Sequence, residues 1–310
     1  MKPFLVYRLP GSAVFERMDF DGADSHALRF GSAVVNPWPG IAIGPECGMS
    51  VASESTPRDF YTDSLRKLIP ELEARRGKTV IVRQICGSFF KLDVEAMARE
   101  YFSLFPAMFC FLFFHPYTGF WMGASPELLL EMKTGNVAAT RALAGTRLAE
   151  TSFPWSDKNI EEHRIVVDEM LRRAHTVGVD AAPGETGTLG YGNIEHLCTP
   201  IALSSSGPID VPALVGALHP TAAVCGYPRE KSMQEIEKYE GAPRNCYGGL
   251  VAVDTPSGRL VYVILRCVHF DMQNWAVYTG SGITPDSDPD DEWLETEAKA
   301  QPLLNILQRY

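Results

Sequence analysis

The stretch from Gly280 to Lys299 reads G-S-G-I-T-P-D-S-D-P-D-D-E-W-L-E-T-E-A-K, and the rest of the chain is organised around it. A glycine-rich segment runs into an acidic, proline-punctuated entry and then into a helix. On that helix Glu292, Glu295 and Lys299 fall at i, i+3 and i+7, so they share one face. Leu303 and Ile306 continue the face if Pro302 does not break the helix. Charges aligned with an apolar stripe are costly to bury unless something pairs them, as a divalent cation and an anionic ligand would. A solvated acidic helix start, which the helix dipole favours, is written with the same letters. Spacing alone leaves both readings open.

At 310 residues the chain can bury a large core. Hydrophobic content of 45% and charged content of 21% are ordinary for a globular protein. The net charge of −10 and the lack of a Lys/Arg run argue against a nucleic-acid partner. An anionic small substrate would need a local patch of cations or a metal. The 7 cysteines are scattered and form no C-x-x-C pair, which points to reduced thiols, not to a disulfide frame or zinc site. No signal peptide is expected, because the N-terminus has one Lys and no apolar core. The longest apolar run, Ala107 to Phe114, is too short for a bilayer and reads as a buried strand. A cytoplasmic protein without membrane contact, monomeric or weakly homo-oligomeric, is the expectation.

Residues 1–55 hold short apolar segments (Phe4 to Tyr7, Ala33 to Val35, Ile41 to Ile43) separated by Gly and Pro, which reads as strands and turns of the same domain. Residues 58–76 have helical spacing and stop at Gly77. Lys78 then opens the β-branched run K-T-V-I-V-R, as a solvated strand edge would. A second helix is expected over 93–105. After the turn G-A-S-P, Glu127 enters an apolar strand, where desolvation would raise its pKa and suit a general acid; an exposed edge Glu is the alternative. Gly145 lets a ligand approach the backbone, and Thr146 offers a hydroxyl. Ser156 is the expected N-cap of a helix ending near Gly178, with a stripe of Ile160, His163, Val166, Val167, Met170 and Ala174. Glu161 projects away from that stripe and Glu162 lies at its edge. Residues 180–208 read as loop and short strand, 230–240 as a helix, and Gly248 to Val253 and Leu260 to Phe270 as strands. Arg266 within the last of these needs an anionic partner, either a ligand or a structural carboxylate. About five helices among many strands describe an enzyme-sized α/β or α+β domain, and name no reaction.

With these segments in hand the chain resembles the chorismate-utilising enzymes. The matching pieces are K-T-V-I-V-R, G-A-S-P-E-L-L, L-A-G-T-R, the E-H after Ser156, H-P-T-A-A-V-C-G, Y-G-G, L-R-C and the stretch quoted first. They run in the family's order from about residue 60 to the end, behind a shorter N-terminal portion. The resemblance implies an α+β fold: one chorismate-binding domain of two packed antiparallel sheets with helices outside and the site in a cleft between the sheets. By motif, Lys78 matches the base that activates water for attack at C2, and Glu127 the acid that protonates the departing C4 hydroxyl. Glu162 and Glu295 match Mg²⁺ ligands, with Glu292 nearby. Gly145, Thr146, Ala223, Tyr247, Arg266, Gly280 and Lys299 match positions around the substrate. Chorismate is a dianion, so Mg²⁺, Arg266 and Lys299 would hold it. A lysine works as a base only where its surroundings disfavour the ammonium.

Within the family, Ala144 stands where aminodeoxychorismate synthases carry a Lys nucleophile. Ala223 stands where pyruvate-eliminating members usually have Thr, as in isochorismate synthases, and the L-H-P-T opening and Cys225 look like that type. The tryptophan-feedback motif L-L-E-S of anthranilate synthase is absent. Ala142 in place of a frequent Pro, and Asn159 in place of an acidic residue one turn before Glu162, depart from the pattern. Isochorismate synthase is therefore the expected activity, feeding menaquinone or a catechol siderophore. A chorismate lyase (salicylate or anthranilate synthase) and a non-catalytic ligand-binding relative are the alternatives.

Overall fold

A computed structural model describes residues 1–149 and 153–310. In chain order its elements are β1 (Phe4–Arg8), β2 (Glu16–Asp24), β3 (Ala27–Phe30), β4 (Ala33–Asn36), α1 (Arg58–Arg75), β5 (Lys78–Ser88), α2 (Val94–Ser103), β6 (Phe109–His115), β7 (Gly119–Ser125), β8 (Leu128–Thr134), β9 (Val137–Leu148), α3 (Asp157–His175), β10 (Asp180–Pro183), β11 (Gly187–Tyr191), β12 (Ile194–Ser204), α4 (Val211–Leu218), β13 (Gly226–Tyr227), α5 (Arg229–Tyr239), β14 (Leu250–Thr255), β15 (Gly258–Val263), β16 (Cys267–Phe270), β17 (Asn274–Ile283) and α6 (Pro289–Leu307).

Every strand pairing is antiparallel. One sheet runs β13-β5-β17-β16-β7-β6-β1-β2. The other runs β2-β3-β4-β14-β15-β8-β9-β12, with β10 and β11 on the far side of β12. Strand β2 belongs to both, because Glu16 to Asp19 pair with β1 and Phe20 to Asp24 pair with β3. The sheets pack face to face: Tyr7, Phe109, Phe111 and Trp121 of the first share a core with Leu28, Phe30, Val251 and Tyr262 of the second. Helices α2 and α6 cover the outer face of the first sheet, and α3 and α4 that of the second. This is the α+β domain that the resemblance implied. No helix among the described residues is long and apolar enough to cross a membrane.

Several expectations need correction. Residues 180–208 are largely sheet, with β12 spanning eleven residues at the centre of the pairing between β9 and β11. Ile160 is half-exposed at the start of α3, so that helix's buried stripe begins at Glu162 and His163. Ile41 to Ile43 form no strand, and α4 makes six helices among the described residues. Lys78 is fully buried, not at a solvated edge. Pro302 does not end α6; the helix runs on to Leu307, with Leu303 and Ile306 buried. Ser156 does cap α3, its hydroxyl accepting from the Asn159 amide.

Two crossings between the sheets matter most. The chain leaves the first sheet after β7 and enters the second at β8 through Pro126 and Glu127. It returns from β15 to β16 through Ile264, Leu265 and Arg266. The crossings are stitched together: the Val263 amide donates to the Glu127 carbonyl at 3.1 Å, and the Ser125 hydroxyl donates to the Val263 carbonyl at 2.6 Å. Arg266 is thus not inside a strand as the sequence suggested. It is the hinge residue of a crossing, at φ +50°.

Candidate active site

A cleft with about 620 Å³ of empty space opens where these crossings meet β5, β9 and β17. Of the residues singled out from sequence, Glu127, Gly145, Thr146, Glu162, Ala223, Tyr247, Arg266, Gly280 and Lys299 line it. Lys78 and Glu295 lie just behind, in contact with Glu162 and Lys299 respectively.

Glu127 is buried at its crossing, and burial pushes its carboxyl up to about 7 against the opposing pull of the Thr221 hydroxyl and the Lys78 charge. Thr221 donates to Oε1 at 2.9 Å. Such a carboxyl holds a proton near neutral pH, which is what a general acid requires. Lys78 opens β5, where its Nζ lies 3.0 Å from Glu162 Oε1. The pair is close but poorly aligned, since the ammonium makes no well-formed hydrogen bond. Gly282 of β17 makes room for both: a Cβ there would sit 2.1 Å from Glu162 Oε1 and 2.7 Å from Lys78 Cε.

Gly145 is the extra residue of a bulge in β9. His196 pairs with Thr146 and Leu197 with Ala144, leaving Gly145 unpaired at φ +72°, a conformation that favours glycine. The bulge turns its carbonyl to His196, whose Nδ1 is 3.0 Å away. His196 Nε2 is 2.9 Å from an Arg266 nitrogen. Arginine can only donate, so Nε2 accepts and Nδ1 carries the proton to Gly145. The ring is therefore neutral, in keeping with burial, Arg266 and Lys299 all lowering its pKa. Arg266 in turn lies over the Tyr191 ring at 4.7 Å, and Tyr101 donates to its carbonyl at 2.8 Å. These contacts hold a non-glycine residue in the left-handed region and aim its guanidinium at the cleft. His196 went unnoticed in the sequence because its strand was read as loop.

On α6, Lys299 Nζ bridges the Gly280 carbonyl at 2.9 Å and Glu295 Oε1 at 2.5 Å. The helix is fixed to β5 by Arg83, whose Nε donates to Thr296 Oγ1 at 2.7 Å and whose guanidinium covers the Trp293 ring at 3.6 Å. Lys158 of α3, which the sequence reading passed over, reaches Glu292 Oε1 at 2.5 Å and lies 4.0 Å from Glu162 Oε2. Its spacing of four residues from Glu162 was the available signal. Burial alone would lower Lys158, but Glu292 and Glu162 outweigh it and keep the ammonium charged. Burial raises the Glu292 carboxyl despite Lys158; for Glu295, Lys299 and Lys158 outweigh burial and hold it low.

Three carboxylates from α3 and α6 thus gather at the foot of the cleft, each against a lysine. Glu292 Oε2 is buried with no partner. Oxygen donors under mutual repulsion suit a hard divalent cation. Among the described residues no group of three such side chains is already arranged around a metal position. Asn159 is turned away, its amide donating to the Thr146 carbonyl at 3.2 Å.

A sequence model described as chorismate binding enzyme matches residues 49–308. The chain belongs to that family. The chain is 32% identical over 203 residues to isochorismate synthase EntC of Escherichia coli, covering 61% of this chain and 51% of EntC. It is 30% identical over 243 residues to isochorismate synthase MenF of the same organism, covering 74% and 56%. Anthranilate synthase component 1 of Aquifex aeolicus is 28% identical over 203 residues, covering 60% and 40%. The chain therefore spans about half the length of the curated relatives it matches. Among solved structures, MenF from Escherichia coli superimposes with a TM-score of 0.79 at 19% identity, over 98% of this chain and 88% of that one.

Proposed function

We propose that this chain is an isochorismate synthase, an isomerase that converts chorismate to isochorismate. Residues 56–310 would form its catalytic region and residues 1–55 strands of the same domain. The observation that carries the reading is Glu127: a buried carboxyl near neutrality in a cleft that also presents Arg266 and Lys299. In this reading Lys78, in its neutral amine form, takes a proton from water as the water oxygen bonds to C2. The ring double bond shifts, and Glu127 gives its proton to the C4 hydroxyl, which leaves as water. Arg266 and Lys299 face the substrate's carboxylates, Tyr247 packs against its ring, and Gly145 and Thr146 accept it closely along β9.

Enzymes of this family are generally Mg²⁺-dependent, and Glu162 and Glu295 would hold the ion, with Glu292 behind. When bound, Mg²⁺ supplies positive charge for a substrate carboxylate.

Within the family, Ala144 and Ala223 favour isochorismate as the end product. Both line the cleft, and neither offers the amine or hydroxyl found at these motif positions in the amination and elimination branches.

The test is product analysis with chorismate and Mg²⁺. Isochorismate without pyruvate supports the proposal. Stoichiometric pyruvate makes the protein a lyase, and no turnover makes it a ligand-binding relative. Glu127→Gln and Lys78→Ala should fold and bind chorismate while losing ~10²–10⁴ in rate.

A further inference from the structure

Thr221 is buried in the turn that joins α4 to β13, the same turn that carries Ala223 into the cleft. Its carbonyl accepts from the Val224 and Cys225 amides at 3.1 and 2.9 Å, which fixes the turn. Its hydroxyl makes the only hydrogen bond to the Glu127 carboxyl among the described residues, donating to Oε1. A carboxylic acid has one carbonyl oxygen and one hydroxyl oxygen. The oxygen that accepts from Thr221 serves as the carbonyl, so the proton resides on Oε2.

We propose that Thr221 is a positioning residue: by occupying Oε1 it selects Oε2 as the oxygen that delivers the proton, and it orients the acid towards the leaving hydroxyl. This rests on the acid role proposed above for Glu127. Among the described residues, the charged side chain acting on that carboxyl is Lys78, from β5. Removing the Thr221 hydroxyl therefore has a defined sign. The hydrogen bond favours the ionised form, so its loss moves the titration of Glu127 to higher pH. The acid is then also free to rotate, and turnover falls.

The experiment compares wild type, Thr221→Val and Thr221→Ser in kcat and KM against pH, with chorismate as substrate. A carboxyl ¹³C NMR titration of Glu127, assigned with Glu127→Gln, runs in parallel. For Thr221→Val, kcat should fall about tenfold, a fraction of what a positioned acid supplies. KM should hardly change, and the alkaline limb and the NMR midpoint should both move up. Thr221→Ser should restore both. If Thr221→Val does not fold, Thr221→Ala is read the same way. An unmoved midpoint overturns the proposal, as does equal, pH-independent impairment of the Val and Ser variants. If wild type turns over no chorismate, the proposed function falls, and the NMR midpoint alone decides whether Thr221 sets the protonation of Glu127.

Discussion

Gly282→Ala tests the construction of the site with a single methyl group. Gly282 lies in β17 opposite Val80, in extended backbone that any residue adopts, so the substitution carries no conformational strain. The added Cβ would stand 2.1 Å from Glu162 Oε1, 2.9 Å from Glu162 Cδ and 2.7 Å from Lys78 Cε. Ordinary contact begins at about 3.5 Å, so the carboxylate must retreat by roughly 1 Å and the lysine by somewhat less. Overpacking of this size costs about 1–3 kcal/mol of stability, which a domain this large tolerates. Misplacing a reacting group by about 1 Å costs ~10² in rate. Gly282→Ala should therefore remain folded, bind Mg²⁺ more weakly, and turn over chorismate about a hundredfold more slowly. The assay is chorismate consumption across a Mg²⁺ series, beside thermal melts of the same preparations. Activity within about threefold of wild type would refute the reasoning, since the Lys78–Glu162 contact would then be unnecessary.

Glu162→Gln and Glu295→Gln should each abolish turnover by weakening Mg²⁺ binding, measured by calorimetry; near-wild-type activity at limiting Mg²⁺ would remove that residue from the ligand set. Lys158→Met leaves Glu292 and Glu162 without their shared ammonium, so its melting temperature in EDTA should fall, by up to ~3 kcal/mol of stability, and Mg²⁺ should raise it more than in wild type. Burial lowers His269 to about 4, and neither ring nitrogen has a well-formed hydrogen bond where it stacks on Trp121. It is neutral when folded and takes a proton only when unfolded, so its contribution is intact above ~6.5 and lost as pH falls towards about 4. His269→Phe should therefore gain stability over wild type by ~1.4 kcal/mol for each pH unit below ~6.5 in urea titrations. Ala223→Thr places a hydroxyl and extra bulk in the cleft and should raise pyruvate formed per chorismate consumed, where ~1.4 kcal/mol between barriers shifts partitioning tenfold; an unchanged ratio removes Ala223 as the determinant.

Apart from α4, the helices were legible because their signals are local. Ser156, Asp288 and the residues after them carry caps and spacing that depend only on neighbours in sequence. Strand β12 was not legible, because Pro200 and a register shift interrupt its alternation and a glycine-rich segment precedes it. From Thr199 to Leu203 the period of two is clean, with Thr199, Ile201 and Leu203 buried and Pro200 and Ala202 exposed. Residues before it lose that period at the His196/Leu197 register shift, where the site histidine sits. Arg266 failed for a related reason. Leu260 to Phe270 is one apolar run, and nothing in its letters marks where the chain leaves one sheet for the other. For Glu127 the sequence offered burial beside three leucines or an exposed edge, and the structure buries it. Its hydrogen-bond partner was not legible, because Thr221 is 94 residues away.

Charge balance explains how such a site can exist inside an acidic protein. Glu162, Glu292 and Glu295 are buried against Lys78, Lys158 and Lys299, so the foot of the cleft is neutral as folded. His196 adds no charge, which leaves the Arg266 guanidinium, with no carboxylate within ion-pair distance among the described residues, as the unbalanced group. An anion entering the cleft finds that guanidinium without a carboxylate partner. Chorismate brings two negative charges and Mg²⁺ two positive ones, so under the proposed function their joint arrival leaves the local sum unchanged. Arrival of either alone would strand charge in a buried setting, where it is strongly disfavoured. The lysines therefore set a charge balance that a metal–substrate pair preserves and a lone ion does not.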